Sequence, residues 1–189
     1  MKTLHALILA AGLLLGASAH AQHDMAALQA AQRQAMQPLA KLDGTWRGTA
    51  KVSLDGGGIK ELVQTERIGS MLDGTIKVIE GRGYGPDGKT EFNAFAIVSF
   101  SPHSGKYNFH SHAQGQAGDF AFEPRPDGFV WIIRYGNVTI RQTAVIKDGT
   151  WHEVGERLVE GQPPVKTVEL RLTRVGDTDW PAAGAVPQR

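Results

Sequence analysis

The sequence predicts an all-β protein: a single up-and-down antiparallel β-barrel of about ten strands, with one N-terminal helix behind a cleaved signal peptide. Two observations carry this. First, turn signals recur at short, even intervals after Gly44: DGGG at 55–58, DG at 73–74, PDGK at 86–89, HSGK at 103–106, GQAGD at 115–119, PDG at 126–128, YGN at 135–137, KDG at 147–149 and GQPP at 161–164. Asp-Gly and Pro-Asp-Gly at such spacing favour hairpins between consecutive antiparallel strands over βαβ units. Second, the runs between the turns alternate. Trp46, Gly48, Ala50 and Val52 share one face of the first strand, with Arg47, Thr49 and Lys51 on the other. Phe92, Ala94, Ala96, Val98 and Phe100 line up in the fourth, and Val168, Leu170 and Leu172 in the last. One wet and one dry face per strand fits a closed sheet. A sandwich would read similarly and stays as the alternative; closure is favoured because it removes exposed edges.

The elements follow in order. Residues 1–21 carry Lys2, an apolar run from Leu4 to Leu15 and the small-x-small box Ala19-His20-Ala21, the pattern of a signal peptide cut before Gln22. The run is short for a bilayer, which needs about 20 residues, so no transmembrane segment is expected in the mature chain, and an exported, periplasmic or secreted location is. Within 22–42, Leu28, Ala31, Ala35 and Leu39 recur at helical spacing. This predicts a helix that ends or kinks near Pro38 and lies as a lid or plug over one end of the domain, with a partner-binding helix as the competing reading. Residues 43–175 form the barrel, and 176–189 a C-terminal tail, loose beyond Trp180.

Composition narrows the function classes. The chain has 20 Lys and Arg against 19 Asp and Glu, and removal of Lys2 with the signal peptide balances them. Nothing here draws nucleic acid by bulk charge. There is no cysteine, so an exported chain of this kind must be held by its core. No nucleophile elbow, P-loop, dinucleotide fingerprint or H-E-x-x-H is present, and GRGYG at 81–85 reads as a strand end and turn.

The stretch Leu42-Asp43-Gly44-Thr45-Trp46-Arg47-Gly48 places G-x-W-x-G at the start of the first strand, directly after the helix. This resembles the calycin superfamily of lipocalins, fatty-acid-binding proteins and nitrobindins, and is most similar to exported bacterial lipocalin-like proteins. The resemblance implies a cup holding a small hydrophobic or amphipathic molecule, with Trp46 sealing one end and an arginine of the last strand, Arg171 or Arg174, over its indole. The nitrobindin branch holds haem through a histidine near the barrel's C-terminal end. The corresponding VKTVELRLTRV has none, so the expectation is no cofactor, with His152 on the preceding strand as the remaining candidate.

Tyr107-Asn108-Phe109-His110-Ser111-His112 puts two histidines on one face of a strand. Either that face or the aromatic one points inward. A two-residue turn at Gln114-Gly115 sets His110 opposite Asp119, and a four-residue turn sets it opposite Glu123. A carboxylate meets the histidine either way, as in an acid–base pair or an ordinary cross-strand pair. Zinc would need a third ligand from His152, Asp119, Glu123 or Glu156, with no recognisable spacing to supply it, so no metal is expected. Trp131, Ile133 and Tyr135 form one side of their strand, as a ligand wall or as packing under the helix. Arg141 with Glu156 is the preferred interior ion pair, since an arginine inside would suit a ligand carboxylate. The candidate ligand-binding set is therefore Trp46, His110, His112, Trp131, Tyr135, Arg141 and Glu156. The leading expectation is a noncatalytic binding barrel. The competing ones are a hydrolase or isomerase using His110 and His112 with Asp119 or Glu123, and an envelope interaction protein working through its outer wall or helix.

Overall fold

The structure, a computed structural model, describes residues 24–180. The expected signal peptide and the tail beyond Trp180 lie outside the described residues. A helix occupies 24–36 and a 3-10 segment Gln37–Leu42. Ten strands follow: β1 (Gly44–Ser53), β2 (Ile59–Met71), β3 (Ile76–Tyr84), β4 (Thr90–Ser101), β5 (Lys106–Ala113), β6 (Gln116–Arg125), β7 (Gly128–Tyr135), β8 (Val138–Lys147), β9 (Thr150–Val159) and β10 (Val165–Gly176). Each pairs antiparallel with its sequence neighbours, and β1 pairs with β10, so the sheet closes. The sandwich alternative is thereby removed.

The turns do the work that their residues suggest. Gln114 and Gly115 both have positive φ, 51° and 78°, as do Asp148 and Gly149, 52° and 71°. Two such residues in succession match the right-handed twist of the strands they join. The first of these turns sets the β5–β6 register, with His110 opposite Asp119. Gly48 has another purpose. A Cβ there would come within 2.0 Å of the Arg171 carbonyl oxygen, so this glycine admits the backbone of β10 at the closing seam rather than a side chain.

One end of the barrel is plugged. Leu28, Ala31 and Ala35 turn their helical stripe to the barrel, and Met36, Leu39 and Leu42 are buried. The α-helix stops at 36, and Pro38 stands in the 3-10 turn that follows. Gln32 donates to the Phe100 carbonyl at 3.3 Å, and the Tyr107 hydroxyl to the Ala35 carbonyl at 2.7 Å. Trp46 lies under this cover, its indole N–H donating to the Leu42 carbonyl at 2.9 Å and its ring edge-on to Trp151 at 5.7 Å. Beside it Lys77 is only 2% exposed. Its ammonium donates to both Asp43 oxygens, at 2.7 and 2.8 Å, and to Ser70 Oγ at 2.7 Å. All three donors are used, as a buried ammonium requires.

The arginine expected over Trp46 is placed differently. Arg174 donates to the Asp43 carbonyl, and Arg171 pairs with Glu169. Among the described residues the cation–π contact is Arg67 over Trp180, at 4.1 Å, on the outer wall. There the chain after β10 folds back over β2, where a Cβ on Gly69 would meet Trp180 at 2.9 Å.

Removing Asp43 strands the Lys77 ammonium in the plugged end. Because Asp43 is itself partly exposed, Asp43→Ala is expected to cost about 2–3 kcal/mol in urea unfolding, below the full penalty of a wholly buried pair. Lys77→Met should cost less than half as much, since the freed carboxylate still reaches water. An unchanged urea midpoint for Asp43→Ala would show that the pair does not hold the plug.

Candidate functional site: an interior cavity with buried carboxyls

Closure gives the sheet one inner face, and that face is not filled. A cavity of about 460 Å³ runs from Trp151 and Phe129 at the plugged end to Val52, Phe92, Ala113 and Ile133 near the other. Two kinds of wall make it. Ala50, Gly81, Ala94, Ala96, Ser111 and Ala113, from β1 and β3–β5, are small and leave the space. Phe109, Phe122, Phe129, Trp131 and Trp151, from β5–β7 and β9, face it with rings. Centroids lie 4.9 Å apart for Phe109 and Trp131, and 5.3 Å for Phe122 and Phe129.

Besides the Ser111 hydroxyl, four polar side chains break this apolar lining: Gln64 and Glu66 on β2, Gln142 on β8 and Glu153 on β9. All are buried, with Glu66 at 8%, Glu153 at 7% and Gln142 at 9% exposure. Glu66 accepts from the Gln64 amide at 2.7 Å. Glu153 accepts two indole N–H groups, from Trp131 at 3.3 Å and Trp151 at 3.0 Å. The Gln142 carbonyl oxygen has no partner. Glycines make room for these groups: a Cβ on Gly81 would come within 2.8 Å of the Glu66 carboxyl, and one on Gly155 within 2.5 Å of the Gln142 oxygen.

Burial dominates the titration of both acids. It pushes Glu66 up to about 8, against the Gln64 hydrogen bond and with help from the charges of Glu153 and Glu80. It pushes Glu153 up to about 7, against the two indole donors. Each can therefore gain or lose a proton near neutral pH inside a largely apolar chamber.

The residues singled out from sequence are distributed otherwise. Trp131 lines the cavity with Ile133; Tyr135, on the same side of its strand, is 66% exposed at the rim. Trp46 lies in the plug below. His110 and His112 are on the outer wall, because Phe109, Ser111 and Ala113 take the inner face. There Asp119 accepts from Asn108 at 2.7 Å and meets His110 Nδ1 at 2.9 Å, while His110 and His112 approach through their Nε2 atoms at 3.1 Å. The bonds from Asn108 and His110 hold Asp119 below the usual carboxylate range. The acid–base site built on these histidines is thus corrected: it has no access to the chamber.

Arg141 and Glu156 do pair, at 2.7 Å, but on the outside, half-exposed. The expectation of an interior arginine is corrected with them, for Gln142, next to Arg141 on β8, and Glu153, three residues before Glu156 on β9, are the inward ones. Of the third ligands considered for zinc, Asp119 stands at the histidine pair. His152 bonds Glu169, and Glu123 pairs with Arg125, both on the outer wall.

Sequence reasoning passed over Gln64, Glu66 and Gln142. A signal existed for Glu66, since Leu62, Gln64, Glu66 and Ile68 share one face whose ends are apolar. The sequence matches no known protein family, and no curated protein resembles it significantly. The closed ten-strand antiparallel barrel is consistent with a calycin-like fold.

Unfolded, these carboxyls ionise near 4.5; folded, near 8 and 7. Between those values the native state holds protons that the unfolded state has lost, so stability falls as pH rises from about 5 to about 8. Thermal unfolding should show Tm declining across this range, and Glu66→Gln should flatten the slope and raise Tm at the alkaline end. A Tm that rises over the same interval would contradict the burial of the two acids.

Proposed function

We propose that the protein is an exported, noncatalytic barrel of calycin type that binds a small hydrophobic or amphipathic molecule in its interior. The observation that carries this is the cavity of about 460 Å³ with mostly apolar walls. Protein interiors are normally packed to the density of organic crystals. A space of this size, open rather than sealed, is left unfilled by side chains from every strand around it. The volume also falls in the range of small-molecule sites. Export is supported by the N-terminal pattern of charge, apolar run and Ala19-His20-Ala21. Calycin type is supported by G-x-W-x-G at the start of β1 together with the closed barrel. The helix serves as the lid of the blind end, its apolar stripe spent on the barrel.

Native mass spectrometry of protein purified from the periplasm should find a retained organic compound, and an apolar fluorescent probe should bind the emptied protein. Ala113 stands at the end opposite the helix, across from Ala94. Ala113→Trp places an indole there and should weaken probe binding by about tenfold or more, the worth of one lost methylene-rich contact surface. Retention of no compound together with no probe binding would overturn the proposal.

A further inference from the structure

We propose that the guest is an amphipathic organic cation, its nitrogen received by Glu66, Glu153 and Gln142 and its apolar body lying along the aromatic wall. This rests on the reading of the cavity as a binding site and names the chemistry of what it takes.

The first ground is the sign of the polar groups. The chamber has two carboxyls and two amides, and no lysine, arginine or histidine among its lining residues. Lys77, the buried cation of the described interior, is consumed by Asp43 and Ser70 in the plug. A ligand carboxylate would find no counter-charge and two acids; an ammonium finds acceptors. The second ground is independent of the acids. The Gln142 carbonyl oxygen is buried without a partner, and Gly155 leaves the space it occupies. A buried acceptor left unpaired costs about 1–3 kcal/mol, and a donor on the guest recovers it. The third is the wall. Trp131 and Trp151 line the chamber with their indole N–H groups turned to Glu153, so an aromatic, apolar surface adjoins the carboxyl where the guest's body would lie.

Charge bookkeeping sets the behaviour. Glu66 is faced by Glu153 across the interior, by Glu80 on the adjoining strand and by the amide of Gln64. Glu153 is faced by the indoles of Trp131 and Trp151. Near neutral pH the empty chamber holds Glu66 largely protonated and Glu153 about half so. An incoming monocation favours one carboxylate, so a proton leaves to solvent and the complex contains one ammonium, one carboxylate and one neutral acid. Binding therefore tightens with rising pH while the amine itself, with a pKa like that of lysine at about 10.4, stays charged.

The test compares decylamine, decan-1-ol and decanoate by calorimetry with the purified protein. Decylamine should bind about tenfold or more tighter than decanol at pH 8, the worth of one hydrogen bond to a charged group, and decanoate weakest of the three. Decylamine affinity should rise about five- to tenfold from pH 6 to pH 8 while that of decanol stays flat. At pH 7 a pair of buffers of different ionisation enthalpy should report proton release. Glu66→Gln/Glu153→Gln should abolish the preference for the amine, and if that variant does not fold, the pH profile of the unmodified protein decides. Decanol or decanoate binding as tightly as decylamine, or a flat amine profile, overturns the inference and leaves the cavity reading standing. Binding of none of the three overturns both.

Discussion

The pairing of β1 with β10 is the contact on which the rest depends. Without it the meander would have two open edges and two exposed faces. With it every strand has two neighbours and the sheet has a single inside. Closure turns a local rule, that alternate residues face opposite ways, into a global one: each inward side chain must share one enclosed volume with those of nine other strands. Gly48 marks how tight the seam is, since β10 passes where its side chain would stand. The cavity is then a consequence of uneven side-chain size around the ring. Small residues on β1 and β3–β5 face phenylalanines and tryptophans on β5–β7 and β9, and the rings do not reach across.

Buried polarity is divided between two levels of the barrel, and the two are handled in opposite ways. In the plug, Lys77 is saturated by Asp43 and Ser70, and Trp46 by the Leu42 carbonyl. Polar groups so satisfied fix a geometry and have nothing left to offer. In the chamber above, Gln142 has an unused acceptor, and the two acids meet their desolvation by keeping protons at pH values where exposed carboxyls have lost them. Such groups are expensive in the empty protein and become useful when a partner arrives. The glycines at 81 and 155 show that this cost is accommodated in the fold, because the adjoining strands keep clear of the polar heads.

The outer wall follows ordinary surface chemistry. The His110–Asp119 and Arg141–Glu156 pairs are cross-strand neighbours, partly exposed and screened by water, of the kind that contributes little to stability. The Arg141–Glu156 pairing was legible from strand spacing, and for His110 the sequence narrowed the partner to Asp119 or Glu123. Their side of the sheet was not. Tyr107–Ala113 has aromatic rings on one face and polar rings on the other, and either can be turned in at comparable local cost. On β8 and β9 the choice lay between Arg141 with Glu156 and Gln142 with Glu153, and each face carries a charge. No propensity of a single residue favours burying Glu153, whose carboxyl accepts N–H groups from two tryptophans of β7 and β9 and holds its proton up to about 7.

By itself the sequence determined what depends on near neighbours along the chain: ten strands from the spacing of turns, the helical stripe of Leu28, Ala31 and Ala35, its end near Pro38, and a carboxylate opposite His110, with two turn lengths open. These follow from backbone geometry and short-range sterics, which a few consecutive residues specify. Only the tertiary structure decided which face of each strand is the interior, that the interior remains hollow, and that Glu66, Gln142 and Glu153 meet there. Those outcomes depend on the summed volume and hydrogen bonding of side chains brought together from the whole ring of strands, a quantity that no single stretch of the chain contains.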